Sequence, residues 1–499
     1  MNRIATFSFK NFSLLSIALL TFGSLCFSQP TVTVSPKSNP PTTNVHVSGS
    51  GFSAYAAIDI YFDTTDEALA SANASGSFSK IAIQVPASAV PGKHWITAVQ
   101  RSNDNSAQTP FRVNTNWAED GFAPKRQRSN PYENVLNPST VGAIDEQWSF
   151  TTGGDRVTSP AVANGVVYVG SNDNNVYALN AATGAKLWSF TTGNSVYSSP
   201  AVADGVVYVG SNDNNVYALN AATGAKLWSF TTGNFVYSSP AVADGVVYVG
   251  SVDNNVYALN AATGAKLWSF TTGSYVYSSP AVADGVVYVG SNDNNVYALN
   301  ATTGAKLWSF TTVLPIASSP AVADGVVYVG SDGTVYALNA TNSIELWSFS
   351  TPTPNASSPA VADGVVYFGS NYLYALNAAT GAQLWVSTVG SSPAVANGVV
   401  YVGSGDDNVY ALNATTGAEL WSFATGNSVF SYPAVANGVV YVGSTDYNVY
   451  AFSSAGGEEV RDRQQVRLPE RLALSTLHPD LSLKVSQPTT TPLRNPYDD

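Results

Sequence analysis

The sequence has almost no cysteine or histidine: one cysteine, Cys26, and three scattered histidines, His46, His94 and His478, among 499 residues. That excludes a disulfide framework and any Cys/His zinc site of the usual spacing. Charge is also scarce, at 11% of residues, against roughly 25% in an ordinary soluble protein. The 21 basic residues are outnumbered by 33 acidic ones, for a net charge of −12. Phosphate backbones are bound by clustered Lys and Arg, so nucleic acid is not an expected partner. No run reaches the roughly 20 apolar residues of a membrane helix, so no membrane span is expected. What is abundant is apolar: 45% of the residues, enough for a sizeable core, in a chain long enough for two or three domains.

The first residues read as an export signal. Arg3 and Lys10 precede the apolar stretch Leu14 to Leu25, 12 residues long. That is too short to span a bilayer and matches the core of a secretory signal. Small residues, Cys26 and Ser28, place cleavage after Ser28. Lipidation of Cys26 is the other reading, disfavoured by Leu25 directly before it. Residues 1–28 are therefore expected to be a signal peptide. The mature chain is expected to be secreted or held in the cell envelope, periplasmic or extracellular.

The middle of the chain is one unit copied eight times. The motif Ser-Pro-Ala-Val-Ala carries its proline at Pro160, Pro200, Pro240, Pro280, Pro320, Pro359 and Pro393, with Tyr432 preceding the eighth, Pro433. The spacings are 40, 40, 40, 40, 39, 34 and 40 residues. Tryptophan keeps the same beat at Trp148, Trp188, Trp228, Trp268, Trp308, Trp347, Trp385 and Trp421. A period near 40 is the size of a four-stranded propeller blade. Within one period, Pro160 to Ala163 reads as a short strand and Asn164-Gly165 as a tight hairpin turn. Val166 to Gly170 is a strand apolar at nearly every position, which suits a sheet covered on both faces. Asn172 to Asn175 turns into a third strand, Val176 to Asn180, and Leu187 to Phe190 forms the outer one. The first Trp strand precedes any Ser-Pro unit, and the last unit has no tryptophan after Val449 to Phe452. Pairing those two ends closes a ring and leaves no exposed edge.

The stretch Ala178-Leu-Asn-Ala-Ala-Thr-Gly-Ala-Lys-Leu-Trp188 resembles the tryptophan-docking repeat of PQQ-binding-like β-propellers, with Asn180 where that family carries Asp. The resemblance covers residues 144–452 and implies that each tryptophan packs between neighbouring blades. The expected fold is thus all-β: an eight-bladed PQQ-like β-propeller at 144–452, closed by the N-terminal Trp strand. Before it, residues 29–114 alternate apolar and polar in short runs and are similar to a bacterial immunoglobulin-like β-sandwich. Residues 115–143 read as an entry arm, with Trp117 and Pro131-Tyr132 as docking points. Residues 453–499 read as a polar, mostly disordered tail.

Two functions stay open. Quinoprotein dehydrogenases share the blade count, and under that reading PQQ and calcium would be cofactors. Their chemistry calls for a catalytic Asp, calcium-holding side chains, a cation over the quinone and, in many members, adjacent cysteines. Between Phe150 and Phe452 the only arginine is Arg156, the lysines are the repeated Lys186, Lys226, Lys266 and Lys306, and there is no histidine base. The repeated Asp173, Asp213, Asp253 and Asp293 read as turn residues rather than calcium ligands, because identical loops splay around a ring. The favoured expectation is a non-catalytic binding or scaffold protein without cofactors, a monomer with a protein or surface ligand as partner. It resembles the propeller subunit of the outer-membrane barrel-assembly machinery in ring size. The repeat is broken between Thr312 and Ser391, where six residues are missing from the usual 40, leaving a 34-residue period. A docking notch is expected there, formed by Val313, Leu314, Pro315, Pro352, Pro354, Asn371, Tyr372, Thr388 and Val389.

Overall fold

The computed structural model describes residues 29–352, 357–369 and 371–454. The expected signal peptide, almost all of the tail and Pro354 lie outside them. Apart from one short 3₁₀ turn, Val141–Ala143, every element among the described residues is a β-strand.

Residues 31–113 form two sheets. One pairs Thr31–Ser35, Asn44–Ser50 and Phe78–Gln84. The other orders Ser38–Asn39, Ser106–Val113, Gly92–Gln100, Ala57–Phe62 and Thr65–Ser71. The period-two alternation does its work here: Ile58, Ile60 and Phe62 point inward from one strand and meet Val45, Val47, Ile96 and Phe111 in a shared core.

Each repeat folds into an antiparallel sheet. In the first, Ala161–Ala163, Val166–Gly170, Asn175–Asn180 and Lys186–Thr191 pair in sequence order. Asn164 and Gly165 both take left-handed conformations, φ 52° and 79°, as a two-residue turn matched to strand twist requires. Both middle strands are buried on both faces, Val167, Tyr168 and Val169 included, because a neighbouring sheet covers each side. The pattern repeats at 201–231, 241–271, 281–311, 321–350, 360–387 and 393–424. The last sheet joins Ala434–Ala436, Val439–Gly443 and Asn448–Ser454 to Ile144–Thr151. There Trp148 stands opposite Ala451, as Trp188 stands opposite Ala178.

The tryptophans fasten each sheet to the next. Trp148, Trp188, Trp228 and Trp268 donate their indole N–H to the carbonyls of Ala181, Ala221, Ala261 and Ala301, each at 2.9 Å. Trp308, Trp347 and Trp385 reach Ala340, Ala378 and Ala414, and Trp421 reaches Ile144. Gly224 explains the Thr-Gly in the motif: it has φ +71°, and a Cβ there would lie 2.7 Å from the Trp188 ring.

The segment 117–130 has a larger role than an entry arm with two docking points. It runs along the inner strands and bonds the valine of every Ser-Pro-Ala-Val-Ala unit in turn. Trp117 exchanges backbone bonds with Val162; Val202 donates to the Ala118 carbonyl and Val242 to the Glu119 carboxylate. Val282, Val322, Val361 and Val395 donate to the carbonyls of Pro124, Lys125, Gln127 and Arg128, and the Asn130 amide donates to the Val435 carbonyl. Each inner strand is the free edge of its sheet, so the segment satisfies amides that would otherwise be orphaned. Its side chains bring buried charge to the axis. The fully buried Arg126 donates to Asp120 at 2.8 Å and to the carbonyls of Pro280 and Ser239 at 2.7 and 2.9 Å. Arg128 lies over the Tyr432 ring at 4.0 Å.

Candidate functional site

The repeated Asp loops act between sheets as well as within their turns. Asp213 Oδ1 accepts the Asn215 N–H, while Oδ2 accepts the Tyr217 hydroxyl at 2.6 Å and the N–H of Gly193, which leaves the preceding sheet. The same clasp recurs at Asp173, Asp253, Asp293 and Asp446. Burial works against the Asp173 and Asp293 carboxylates, but the tyrosine hydroxyl and amide donors outweigh it and hold both below the usual range. Burial and the adjacent carboxylate push Tyr177 up to about 12. These carboxylates are consumed in the wall. Among the described residues, no three His, Cys, Asp or Glu side chains converge as a metal site.

The clasp lapses in the sector of the expected notch. Asp406 holds Asn408 and Tyr410, but among the described residues it accepts no N–H from the shortened loop 388–390. Val313, Leu314 and Tyr372 are 81%, 42% and 41% exposed. Pro315, Pro352, Asn371 and Thr388 are exposed as well. Val389 differs: its side chain is buried in the core cluster with Ala360, Trp385 and Val395, so it does not line the rim.

A different part of the same face holds a cavity of about 420 Å³. Arg156, Thr158, Ser159, Tyr197, Ser199, Tyr237, Phe430 and Tyr432 are among its lining residues. They come from the loops entering the first, second, third and last inner strands, far apart in sequence. The tyrosines before each Ser-Ser-Pro run side by side around the mouth: Tyr197 to Tyr237 at 5.7 Å between ring centroids, Tyr237 to Tyr277 at 5.5 Å. Phe235 and Tyr275 stand edge-on to Tyr237 and Tyr277, each pair at 6.0 Å. At the equivalent positions across the mouth stand Ala317 and Gly390. The entry to the first sheet skips this position. Asn172 donates to the Arg156 carbonyl as Asn212 does to Ser195, and Val157 packs on Gly443 where Val196 packs on Gly170. The Arg156 guanidinium is thereby set over Tyr197, 5.3 Å from its ring centroid.

Sequence reasoning missed this cavity, although its signal is present: Tyr at three successive entries, then Ala and Gly, in repeats that otherwise barely differ. The cavity carries hydroxyls, aromatic faces and one cation. Among the described residues, no carboxylate, histidine or cysteine lines it.

A search of curated proteins finds no significant match. Among solved structures, the chain is similar to BamB from Moraxella catarrhalis, at 20% identity and TM-score 0.55, over 62% of this chain and 99% of that one. Quinohemoprotein alcohol dehydrogenase from Comamonas testosteroni matches at 18% identity and TM-score 0.60, over 68% and 80% of the two chains. The computationally designed Ika8 protein matches at 20% identity and TM-score 0.57, over 62% and 99%. At such identities the likeness establishes the fold, a β-propeller, and not the activity. The family model described as outer membrane protein assembly factor BamB matches residues 138–236, 176–278, 223–372 and 369–478. Those matches run through more than half of the sequence, and the chain belongs to this family of PQQ-like repeat proteins.

Proposed function

We propose that this protein is an exported, non-catalytic binding platform: an eight-bladed propeller, preceded by an immunoglobulin-like domain, that engages a protein or surface ligand of the cell envelope. The observation that carries this reading is the cavity at Arg156, Tyr197, Tyr237 and Phe430, equipped to hold a ligand but without an acid–base pair. The family description, an outer membrane protein assembly factor, supports protein interaction at the envelope. So does the exposed sector at Val313, Leu314 and Tyr372, the second surface on this face offered to a partner.

The competing function is a quinone-dependent dehydrogenase. The residues at the mouth do not suit PQQ with calcium, since the carboxylates of the neighbouring loops are held in clasps. Titration calorimetry with PQQ and calcium separates the two. No binding below roughly 1 mM is expected, a free energy weaker than about −4 kcal/mol. Micromolar affinity overturns the platform reading.

A further inference from the structure

Three tyrosine classes recur in the repeats, and they differ in what their hydroxyls reach. Tyr177, Tyr217, Tyr257, Tyr297, Tyr410 and Tyr450 donate to Asp. Tyr168 and its equivalents donate to a backbone carbonyl of the next sheet, except Tyr401, whose hydroxyl is buried without a partner among the described residues. The hydroxyls of Tyr197, Tyr237 and Tyr277 make no hydrogen bond among the described residues, although their rings pack on one another. A half-buried tyrosine that keeps its ring packed and its hydroxyl free presents an apolar face and a polar tip to whatever enters. Arg156 is similarly uncommitted. Among the described residues its guanidinium forms no ion pair or hydrogen bond and rests on Tyr197, while the adjacent Asp155 accepts from Asn172.

Aromatic residues run along the cavity, with Phe430 55% exposed at one end of the arc and Tyr275 45% exposed at the other. A peptide adding a strand would need an open sheet edge, but segment 117–130 already occupies the inner edges. A lipid chain would need a continuous apolar groove. This lining is instead polar, with Ser159, Ser199, Ser431, Ser444 and Thr445, of which Ser431, Ser444 and Thr445 already bond backbone carbonyls. Aromatic faces that carry their own open hydroxyls, as Tyr197, Tyr237 and Tyr277 do, suit rings that are apolar on their faces and polar at their edges. A lone arginine, in a chain of net charge −12, adds a preference for an acid group on such a ring.

The geometry points to a carbohydrate site: the mouth formed by Arg156, Tyr197, Tyr237, Tyr277 and Phe430 binds an acidic oligosaccharide, its rings stacked on the tyrosines and a carboxylate paired with Arg156. This rests on the reading of this face as a binding face and names the ligand class for one part of it.

The test is titration calorimetry on the full mature chain with trigalacturonic acid, a neutral trisaccharide, cellotriose, and an acidic hexapeptide. Trigalacturonic acid should bind saturably and about tenfold more tightly than cellotriose, with the preference shrinking as salt rises. Tyr237→Ala should weaken both sugars about tenfold. Arg156→Gln should remove the preference for the acid and leave cellotriose unchanged. Leu227→Ala, on an exposed outer strand, is the control and should change neither. Absence of saturable binding by either sugar, or binding unaltered in both mouth variants, overturns the inference. Binding of the hexapeptide alone, lost in Tyr237→Ala, also overturns it while leaving the platform function standing. Micromolar PQQ binding is the separate result that removes that function.

Discussion

Glu119 offers a direct test of the buried axis. Its carboxyl is fully buried beside Arg126; Oε1 accepts the Val242 N–H at 3.2 Å and Oε2 has no partner. Burial pushes its pKa from 4.5 to about 8, outweighing the pull of Arg126 and the Val242 N–H. The folded protein therefore holds a proton here that the unfolded chain has released between pH 4.5 and 8. Stability must fall as pH rises through that window and level off above it. One proton corresponds to about 1.4 kcal/mol per pH unit, so from pH 5.5 to 7.5 the loss is on the order of 3 kcal/mol. Glu119→Gln keeps an acceptor for Val242 and cannot ionise, so it should abolish this slope and make the variant the more stable protein at pH 7.5. Urea unfolding followed by tryptophan fluorescence measures both proteins across the window. His94 has a raised pKa because its bonds to Asp63 and the Val90 carbonyl outweigh the opposing effect of burial. Its stabilisation is present below its ordinary 6.5 and is lost as pH rises through the folded value, a slope of the same sign. The diagnostic is therefore the difference between wild type and variant. Equal slopes in the two would refute an axis that holds Glu119 protonated.

Arg126→Met should cost about 3–5 kcal/mol, because it leaves the Asp120 carboxylate and the carbonyls of Pro280 and Ser239 buried without donors; an unchanged urea midpoint would show that the segment is not a fastener. Deleting residues 29–114 should leave the repeats melting cooperatively, whereas deleting 29–130 removes the bonds to every inner valine. The second deletion should aggregate or lose its cooperative transition by calorimetry. Once a protein partner is in hand, Leu314→Ala with Tyr372→Ala should weaken it by about 1–2 kcal/mol if it docks on the exposed sector. Loss of binding only in Tyr197→Ala with Tyr237→Ala would place it at the mouth instead.

Much of the architecture is written in short-range terms. The turn at Asn164-Gly165, the doubly buried run Val166–Gly170 and the Thr-Gly that admits a tryptophan each need only neighbours within one period. Their repetition makes the period legible, and counting tryptophans against Ser-Pro units already pairs Ile144–Thr151 with the last repeat. The turn role of the Asp loops was legible for the same reason. Their hold on the preceding sheet was not, since Gly193 lies 20 residues before Asp213.

What the tertiary structure alone decided is the interior and the mouth. Asn130 meets Val435 across 305 residues and Arg126 meets Pro280 across 154, partners that no local pattern announces. A polar segment such as 117–130 reads as linker until the free inner strand edges converge on it and need their backbone groups satisfied. Likewise, Tyr197 and Tyr237 are ordinary loop residues along the sequence. They become one surface with Arg156 and Phe430 because ring closure sets the first and last entry loops side by side. Periodicity governs what a residue does to its own sheet; what residues from different sheets do together depends on the radius and closure of the ring, which no single repeat contains.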